Sequence, residues 1–154
     1  MPELTVICYI ERADDVLFIV KNSGLNKDKW LGIGGHMEEH ESPYESVIRE
    51  IREETGIRKD LLSSLRQRGF LTFVNTMYPD EHIHVFTARF EGDPSSLPAS
   101  CSEGRLQWVK KSDVFSLPVW EGDKEMFRCL FEKEGFFSLK VSYDGDDLIG
   151  IESY

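Results

Sequence analysis

Residues 35–57 read GHMEEHESPYESVIREIREETGI and predict one short helix with both ends marked in the sequence. Ser42 is followed by Pro43 and, three residues after Ser42, by Glu45, which is a capping box with proline at the first helical position. Gly56 can supply the left-handed residue that commonly follows the last turn of a helix. The helix is therefore expected to begin after Ser42 and to end at Gly56.

The predicted helix carries an acidic face. Glu50, Glu53 and Glu54 span roughly 100° of its surface, one turn apart and near its C-terminal end. The three carboxylates repel each other there and oppose the helix dipole. A hard divalent cation such as Mg²⁺ would relieve the repulsion, because it takes oxygen ligands and is commonly shared between carboxylates and substrate phosphates. The alternative is a solvated charged face whose acids are neutralised by Arg49 and Arg52.

The spacing of the whole segment favours the metal site. Nine positions form the pattern Gly35-x5-Glu41-x7-Arg49-Glu50-Ile51-x-Glu53-Glu54-x-Gly56-Ile57, which matches the complete Nudix box without a mismatch. On these residues the chain resembles the Nudix hydrolases. The resemblance implies a loop-helix-loop that binds Mg²⁺, for which Mn²⁺ can substitute, and that cleaves a nucleoside diphosphate linked to another moiety.

The resemblance also implies roles for single residues of the box. Arg49 is implied to orient the acidic cluster with Glu41 as its partner, while Gly35, Glu41 and Gly56 are structural parts of the motif. Glu50 is also a candidate for the general base. The implied metal ligands are Glu50, Glu53, Glu54 and the carbonyl oxygen of Gly34.

Three positions outside the minimal pattern affect this prediction. His36 stands where many MutT-like members of the family have lysine, which removes one phosphate contact, and His40 stands where many have glycine. Glu103 lies near the end of the Gly-, Pro- and Ser-containing loop 91–105, before an aromatic residue and a strand. A glutamate so placed reaches the metal site in MutT-like members, so Glu103 is a candidate ligand and a second candidate base. The alternative is a solvated loop acid.

A base-binding pocket is expected at the start of the last predicted helix, 123–133. Trp120 offers a flat face for stacking on a purine, and Asp123 can accept hydrogen bonds or, when protonated, donate one. The alternative is an aromatic residue that anchors the helix start and an acid that caps it. Leu31 occupies a place where relatives often present asparagine to the base. Lys29 lies in a polar loop whose lysines either contact phosphate or remain solvated.

The flanking sequence predicts an α/β fold. Apolar and β-branched runs bounded by turn residues indicate strands at 4–11, 16–21, 65–78 and 82–90 and a final hairpin of 137–143 with 148–151. This order agrees with what the resemblance implies, the Nudix α/β/α sandwich with a mixed β-sheet between helices. Residues 1–154 are expected to form a single Nudix hydrolase domain.

The amino-acid composition limits the classes of binding partner and of structural cross-link that are expected. The chain has 18 basic and 28 acidic side chains and a net charge of −10, which argues against binding long nucleic acid but is compatible with a small nucleotide that arrives with Mg²⁺. Cys8, Cys101 and Cys129 show no paired spacing, so neither a disulfide framework nor a zinc site is expected. The run 6–10 has no basic flank, so no signal peptide or membrane span is expected and the location is predicted to be cytoplasmic.

Within the family, the sequence favours a MutT-like enzyme. The expected reaction is hydrolysis of a nucleoside triphosphate, 8-oxo-dGTP or a related oxidised purine nucleotide, to nucleoside monophosphate and pyrophosphate. Positions 72–75 hold neither the proline usual in ADP-ribose-cleaving members nor the tyrosine usual in dinucleoside-polyphosphate-cleaving members. The alternatives are another nucleotide, 5′-triphosphorylated RNA, or a non-catalytic nucleotide sensor, against which the intact acids of the box argue.

Overall fold

One mixed sheet runs through the protein, and the computed structural model describes residues 1–154. The strands are β1 (Glu3–Arg12), β2 (Asp15–Lys21), β3 (Trp30–Leu31), β4 (Ile33–His36), β5 (Leu62–Asn75), β6 (Glu81–Phe90), β7 (Ser100–Cys101), β8 (Gly104–Lys110), β9 (Phe137–Asp144) and β10 (Asp147–Ser153). The helices are α1 (Pro43–Thr55) and α2 (Asp123–Phe131), and short 3₁₀ turns occupy Lys59–Leu61, Pro94–Ser96 and Lys111–Ser116. The strand order is β10-β9-β5-β6-β1-β2-β8-β7, with β3 paired to β2 and β4 paired to β1.

Each face of the sheet is covered by one helix. Successive side chains of a strand point to opposite faces, so β1 sends Tyr9 to one side and its neighbours Cys8 and Ile10 to the other. The first core joins Tyr9, Phe18, Leu71, Phe73 and Val85 to Met126, Phe127 and Leu130 of α2. The second joins Val6, Cys8, Ile10, Leu17, Ile19 and Phe86 to Val47 and Ile51 of α1. The predicted α/β/α sandwich is confirmed.

The sheet is mixed because two strand pairs are parallel. β1 runs parallel to β6 and β5 runs parallel to β9, whereas the remaining pairs are antiparallel. The predicted strands are present with shifted ends: β5 begins at Leu62 and stops at Asn75, and α2 ends at Phe131. Glu81, which the sequence placed in a turn, is the first residue of β6 because it pairs with both Phe73 and Glu3.

The strands β3 and β4 were not predicted, and they create the cleft. β1 and β2 pair with each other only near their turn, from Ile10 and Leu17 to Arg12 and Asp15. Beyond this point they diverge, and β4 pairs with β1 while β3 pairs with β2. A Cβ atom at Gly34 would lie 1.9 Å from the carbonyl oxygen of Val6, so only glycine permits this approach.

The cysteines form no disulfide. Cys8 and Cys129 are buried and Cys101 is partly exposed, and burial raises the pKa of the Cys8 thiol well above its ordinary value. The two buried thiols therefore act as apolar packing groups. Neither helix combines the length and the apolar composition that crossing a bilayer requires.

Candidate active site

Helix α1 begins and ends where the sequence predicts. The N–H of Glu45 donates to Ser42 Oγ at 3.2 Å, and the N–H of Ser42 donates to Glu45 Oε1 at 3.0 Å. At the other end Gly56 has φ 76°, and its N–H donates to the carbonyl of Arg52. Caps of this kind each stabilise a helix by about 1 kcal/mol. They fix where α1 begins and ends, and the helical period then places Glu50, Glu53 and Glu54 on one face.

Arg49 is the centre of the acidic face. Its Nε and Nη2 donate to the two carboxylate oxygens of Glu41 at 2.7 and 2.9 Å, and Nη2 also donates to the carbonyl of His36 at 3.0 Å. Its Nη1 donates to Glu50 Oε1 at 2.9 Å and to Glu53 Oε2 at 3.2 Å. The hydrogen bonds from Arg49 are the main cause that lowers the pKa of Glu41 to about 2. Arg49 therefore ties the loop before α1 to the acids on the helix.

Glu54 is the buried member of the acidic face. Its residue is 5% exposed, and its Oε2 has no hydrogen-bond partner. Burial, followed by the charge of Glu50, raises the pKa of Glu54 to about 8, while Lys21 and the backbone N–H of Gly34 act in the opposite direction. Burial is also the main cause that raises the pKa of Glu50. A buried carboxylate with one unpartnered oxygen and next to like charge is a site that a cation would complete.

The donor set fits a hard divalent cation, because it contains only carboxylate and carbonyl oxygens. The side chains do not form a closed cage in this structure, since no three acidic, histidine or cysteine groups converge on one point. Two cationic side chains hold the carboxylates instead: Arg49 binds Glu50 and Glu53, and Lys21 Nζ lies 2.6 Å from Glu103 Oε2. Glycine at position 35 leaves room for the Glu50 carboxylate, because a Cβ there would lie 2.7 Å from its Cδ.

One cavity of about 530 Å³ joins the acidic face to the predicted base pocket. This volume suits a nucleotide-sized ligand. The residues that matter for the chemistry are Lys21, Leu31, the acids Glu50, Glu53, Glu54 and Glu103, and at the other end Glu81, Trp120 and Asp123. Gly34 and Gly35 also line it. Lys29 does not, and its Nζ lies 4.5 Å from the ring centre of Trp120. The lysine beside the acidic face is therefore Lys21.

Trp120 is held in place by its surroundings and is only 6% exposed. Its Nε1 donates to Asn26 Oδ1 at 2.7 Å. Its ring packs edge-on against Phe73 and Tyr143, with centroids 5.2 and 4.9 Å away. Tyr143 Oη also accepts a hydrogen bond from the N–H of Gly122 at 2.7 Å. Trp120 thus anchors the start of α2 and borders the cavity at the same time.

The far end of α2 is fixed by a buried arginine. Arg68, which lies at a bulge in β5, is 5% exposed. Its Nη1 donates to the carbonyl of Leu130 at 3.2 Å, and its Nη2 donates to those of Cys129 and Lys133 at 3.2 and 2.9 Å. The bonds to Cys129 and Leu130 satisfy carbonyls that the last turn of a helix leaves free, and the bond to Lys133 holds the residues after it. With Tyr143 at the other end, they set the position from which Asp123 reaches the cavity.

Asp123 is a buried acid with two accessible protonation states. It is 7% exposed and is the first residue of α2, while the N-cap is Gly122 and no side chain caps the helix. Asp123 therefore does not cap the helix, which was the alternative role that the sequence allowed. Burial, followed by the charge of Glu81, raises the pKa of Asp123 to about 7, and Lys29 acts in the opposite direction. Near neutral pH its carboxyl group can accept or donate a hydrogen bond.

This pKa predicts a pH dependence of stability. The folded state binds the Asp123 proton more tightly than the unfolded chain does. Protonated Asp123 therefore contributes fully to the free energy of unfolding below about pH 4, and this contribution is lost as the pH rises through about 7. Asp123→Asn should therefore gain stability relative to wild type by a few kcal/mol between pH 5 and pH 8. Denaturant unfolding in EDTA measures this difference, with the exposed Asp146→Asn as the control. A wild-type-minus-variant difference that stayed constant with pH would contradict the burial of a titrating Asp123.

Sequence reasoning missed three residues of the cavity. Lys21 ends a strand of apolar residues, and a charged residue at that position was the only signal available. Asn26 lies in the polar loop before β3, and Glu81 was placed in a turn. The positions of all three depend on contacts with residues distant in sequence, Glu103, Trp120 and Glu3 respectively.

Comparisons with known proteins agree with this geometry. The family model described as NUDIX domain matches residues 1–130. The chain is 30% identical over 140 residues to the uncharacterized Nudix hydrolase YvcI of Bacillus subtilis, covering 88% of this chain and 84% of that protein. It is 27% identical over 148 residues to an oxidized purine nucleoside triphosphate hydrolase of Danio rerio, covering 96% and 90%. The crystal structure of a Mutator MutT protein from Bacillus halodurans superposes with a TM-score of 0.80 at 27% identity, covering 98% and 97%.

Proposed function

The chain belongs to the Nudix hydrolase family, and from this premise we propose that it hydrolyses purine nucleoside triphosphates, 8-oxo-dGTP or a related oxidised nucleotide, to monophosphate and pyrophosphate. The observation that carries the proposal is the single cavity that joins the acids of α1 to Trp120 and Asp123. The similarity to a fish protein named as an oxidized purine nucleoside triphosphate hydrolase supports the choice of substrate. A small nucleotide is also the partner that a net charge of −10 favours over long nucleic acid.

Nudix hydrolases generally use divalent metal ions, and we propose Mg²⁺ here, with Mn²⁺ as a substitute. The unpartnered Oε2 of Glu54 and the all-oxygen donor set support this choice. Glu50, Glu53, Glu54 and the carbonyl of Gly34 would hold the ion, with Glu103 as a further ligand. When bound, it would neutralise charge on the phosphate oxygens and favour ionisation of the attacking water.

The chain itself supplies orientation, charge and a base. Arg49 holds Glu50 at 2.9 Å and so fixes its carboxylate toward the cavity. Burial raises the pKa of Glu50, which makes this carboxylate a better proton acceptor than an ordinary exposed glutamate. Glu103, bound to Lys21, is the alternative base. Lys21 is 19% exposed at its side chain and can exchange Glu103 for a phosphate oxygen of the substrate.

A product assay tests the proposed reaction. We expect nucleoside monophosphate and pyrophosphate from a nucleoside triphosphate, with ¹⁸O from labelled water incorporated at the phosphorus that water attacks. A panel of 8-oxo-dGTP, dGTP, dCTP, ADP-ribose and 5′-triphosphorylated RNA, with pyrophosphate and phosphate measured separately, ranks the substrates. Inorganic phosphate as the only small product would overturn the scheme. Because Leu31 offers the base only apolar contact, discrimination between oxidised and normal guanine is expected to be modest.

A further inference from the structure

Glu81 is a carboxyl group of the cavity that lies on the sheet and not on the acidic face of α1. Glu81 begins β6, where its Cα pairs with Phe73 of β5 and with Glu3 of β1. Because side chains alternate along a strand, Glu81 shares the face of Ile83 and Val85, which is the face covered by α2. Glu81 lines the cavity together with Ile83, and it is partly buried.

The position of Glu81 is at the base end of the cavity. Its pairing partner Phe73 packs against Trp120 with ring centroids 5.2 Å apart. The charge of Glu81 is also the second cause of the raised pKa of Asp123, so the two carboxyl groups lie close enough to interact. Strand β6 and helix α2 therefore present one acid each to the same pocket.

Glu81 and Glu54 lack a salt bridge, and in this they differ from the other glutamates of the cavity. Glu50 and Glu53 bind Arg49, and Glu103 binds Lys21, whereas Glu81 takes part in no salt bridge. Its pKa is raised, first by burial and next by the charge of Glu3. A partly buried carboxyl group without a cation contributes nothing to stability through charge pairing, and such groups are frequent in ligand sites. The charge of His36 and a hydrogen bond from the Thr5 side chain act in the opposite direction on this pKa, but no salt bridge neutralises the Glu81 carboxyl group.

We propose that Glu81 acts with Asp123 as a second base-recognition residue, and that the pair selects guanine-type purines, which carry a ring N–H beside an exocyclic amino group. This inference rests on the proposed function. In this arrangement the ionised carboxylate of Glu81 accepts two hydrogen bonds from these adjacent donors, and Asp123, when protonated, donates to the neighbouring carbonyl oxygen. Hypoxanthine lacks only the exocyclic amino group, so it leaves one acceptor of the pair unpaired.

Binding of products without metal tests this proposal separately from catalysis. Titration calorimetry in EDTA is expected to show that the wild-type protein binds dGMP at least about 10-fold more tightly than dIMP, because an unpaired buried acceptor is costly. Glu81→Gln should reduce this ratio to about 2 or less, mainly by weakening dGMP binding. Glu39→Gln is the control: it removes an exposed carboxylate that does not line the cavity, and the ratio should persist.

Glu81→Asp provides a second variant that keeps the charge and withdraws the carboxylate by one methylene group, and it should lower the ratio as Glu81→Gln does. A ratio that is unchanged in both variants, or dGMP and dIMP weakened equally, would overturn the role of Glu81 and leave the proposed hydrolase intact. Wild-type protein that is folded and binds neither monophosphate, nor 8-oxo-dGMP, would overturn base recognition by Glu81 and Asp123, whereas the hydrolase proposal is tested separately by the product assay. A ratio near 1 in the wild-type protein would overturn the guanine-type selection alone.

Discussion

Glu54→Gln is expected to lower Mg²⁺-dependent kcat/KM by about 100-fold or more, and Glu53→Gln is expected to act in the same direction. Glutamine keeps the size of the side chain and removes its negative charge. Because Glu54 Oε2 has no partner in the protein, the substitution breaks no internal hydrogen bond at that atom. Steady-state kinetics at saturating Mg²⁺ measure the loss, and Glu39→Gln, in the exposed loop before α1, is the control.

The stability of the same variant distinguishes a metal ligand from a structural acid. In the metal-free protein, the pKa of Glu54 is raised to about 8, so its contribution to stability is lost as the pH rises toward that value. Glu54→Gln should therefore have a Tm at pH 8 in EDTA equal to or above that of wild type. Mg²⁺ should raise the Tm of wild type and raise that of the variant much less. Wild-type turnover in both the Glu53 and Glu54 variants would rule out the acidic face as the metal site.

The part of the site on α1 could be predicted because its signals are local. The capping box at Ser42 and the left-handed Gly56 each depend on residues within one turn of the helix end. The acids follow from the helical period once the helix is placed. His40 is another position where the local backbone matches the motif. Its φ of 67° lies in the region that favours glycine, which is the residue found there in many MutT-like members.

The remaining part of the site depends on pairings between distant segments. Lys21 reaches Glu103 because β2 pairs with β8, which places Lys21 opposite Gly104. Glu81 faces the base pocket only because β6 lies between β5 and β1 in a particular register. A shift of one residue would turn its side chain to the opposite face of the sheet. No local pattern in the sequence specifies such registers, so Lys21 and Glu81 were not predicted as cavity residues.

The glycine-rich segment before α1 shows a related limit. Residues 30–36 carry few β-branched side chains, so propensity does not favour strands there. They pair as β3 and β4 because β1 and β2 diverge and leave free backbone groups that these residues satisfy. The two strands and the cleft between them were therefore not predicted.

Trp120 shows that the structural and functional interpretations of a residue can both hold. Its ring is 6% exposed, its Nε1 binds Asn26, and its edge packs on Phe73 and Tyr143. Trp120→Ala is thus expected to lower the Tm as well as to weaken the binding of the base, since it leaves a large cavity in a packed region. A test of base binding by Trp120 therefore needs variants that separate the loss of stacking on the base from the loss of packing in the protein.

The substrate base gives the last test. Wild-type protein should have a kcat/KM for 8-oxo-dGTP well above that for dCTP, and Trp120→Leu should raise the KM for 8-oxo-dGTP by about 5- to 100-fold, because stacking of a base on an aromatic ring contributes about 1–3 kcal/mol. Asp123→Asn should raise this KM with little loss of Tm. Trp120→Phe keeps an aromatic face and should retain most of the affinity. Equal kcat/KM for dCTP and 8-oxo-dGTP would reject the purine assignment and leave the Nudix chemistry standing.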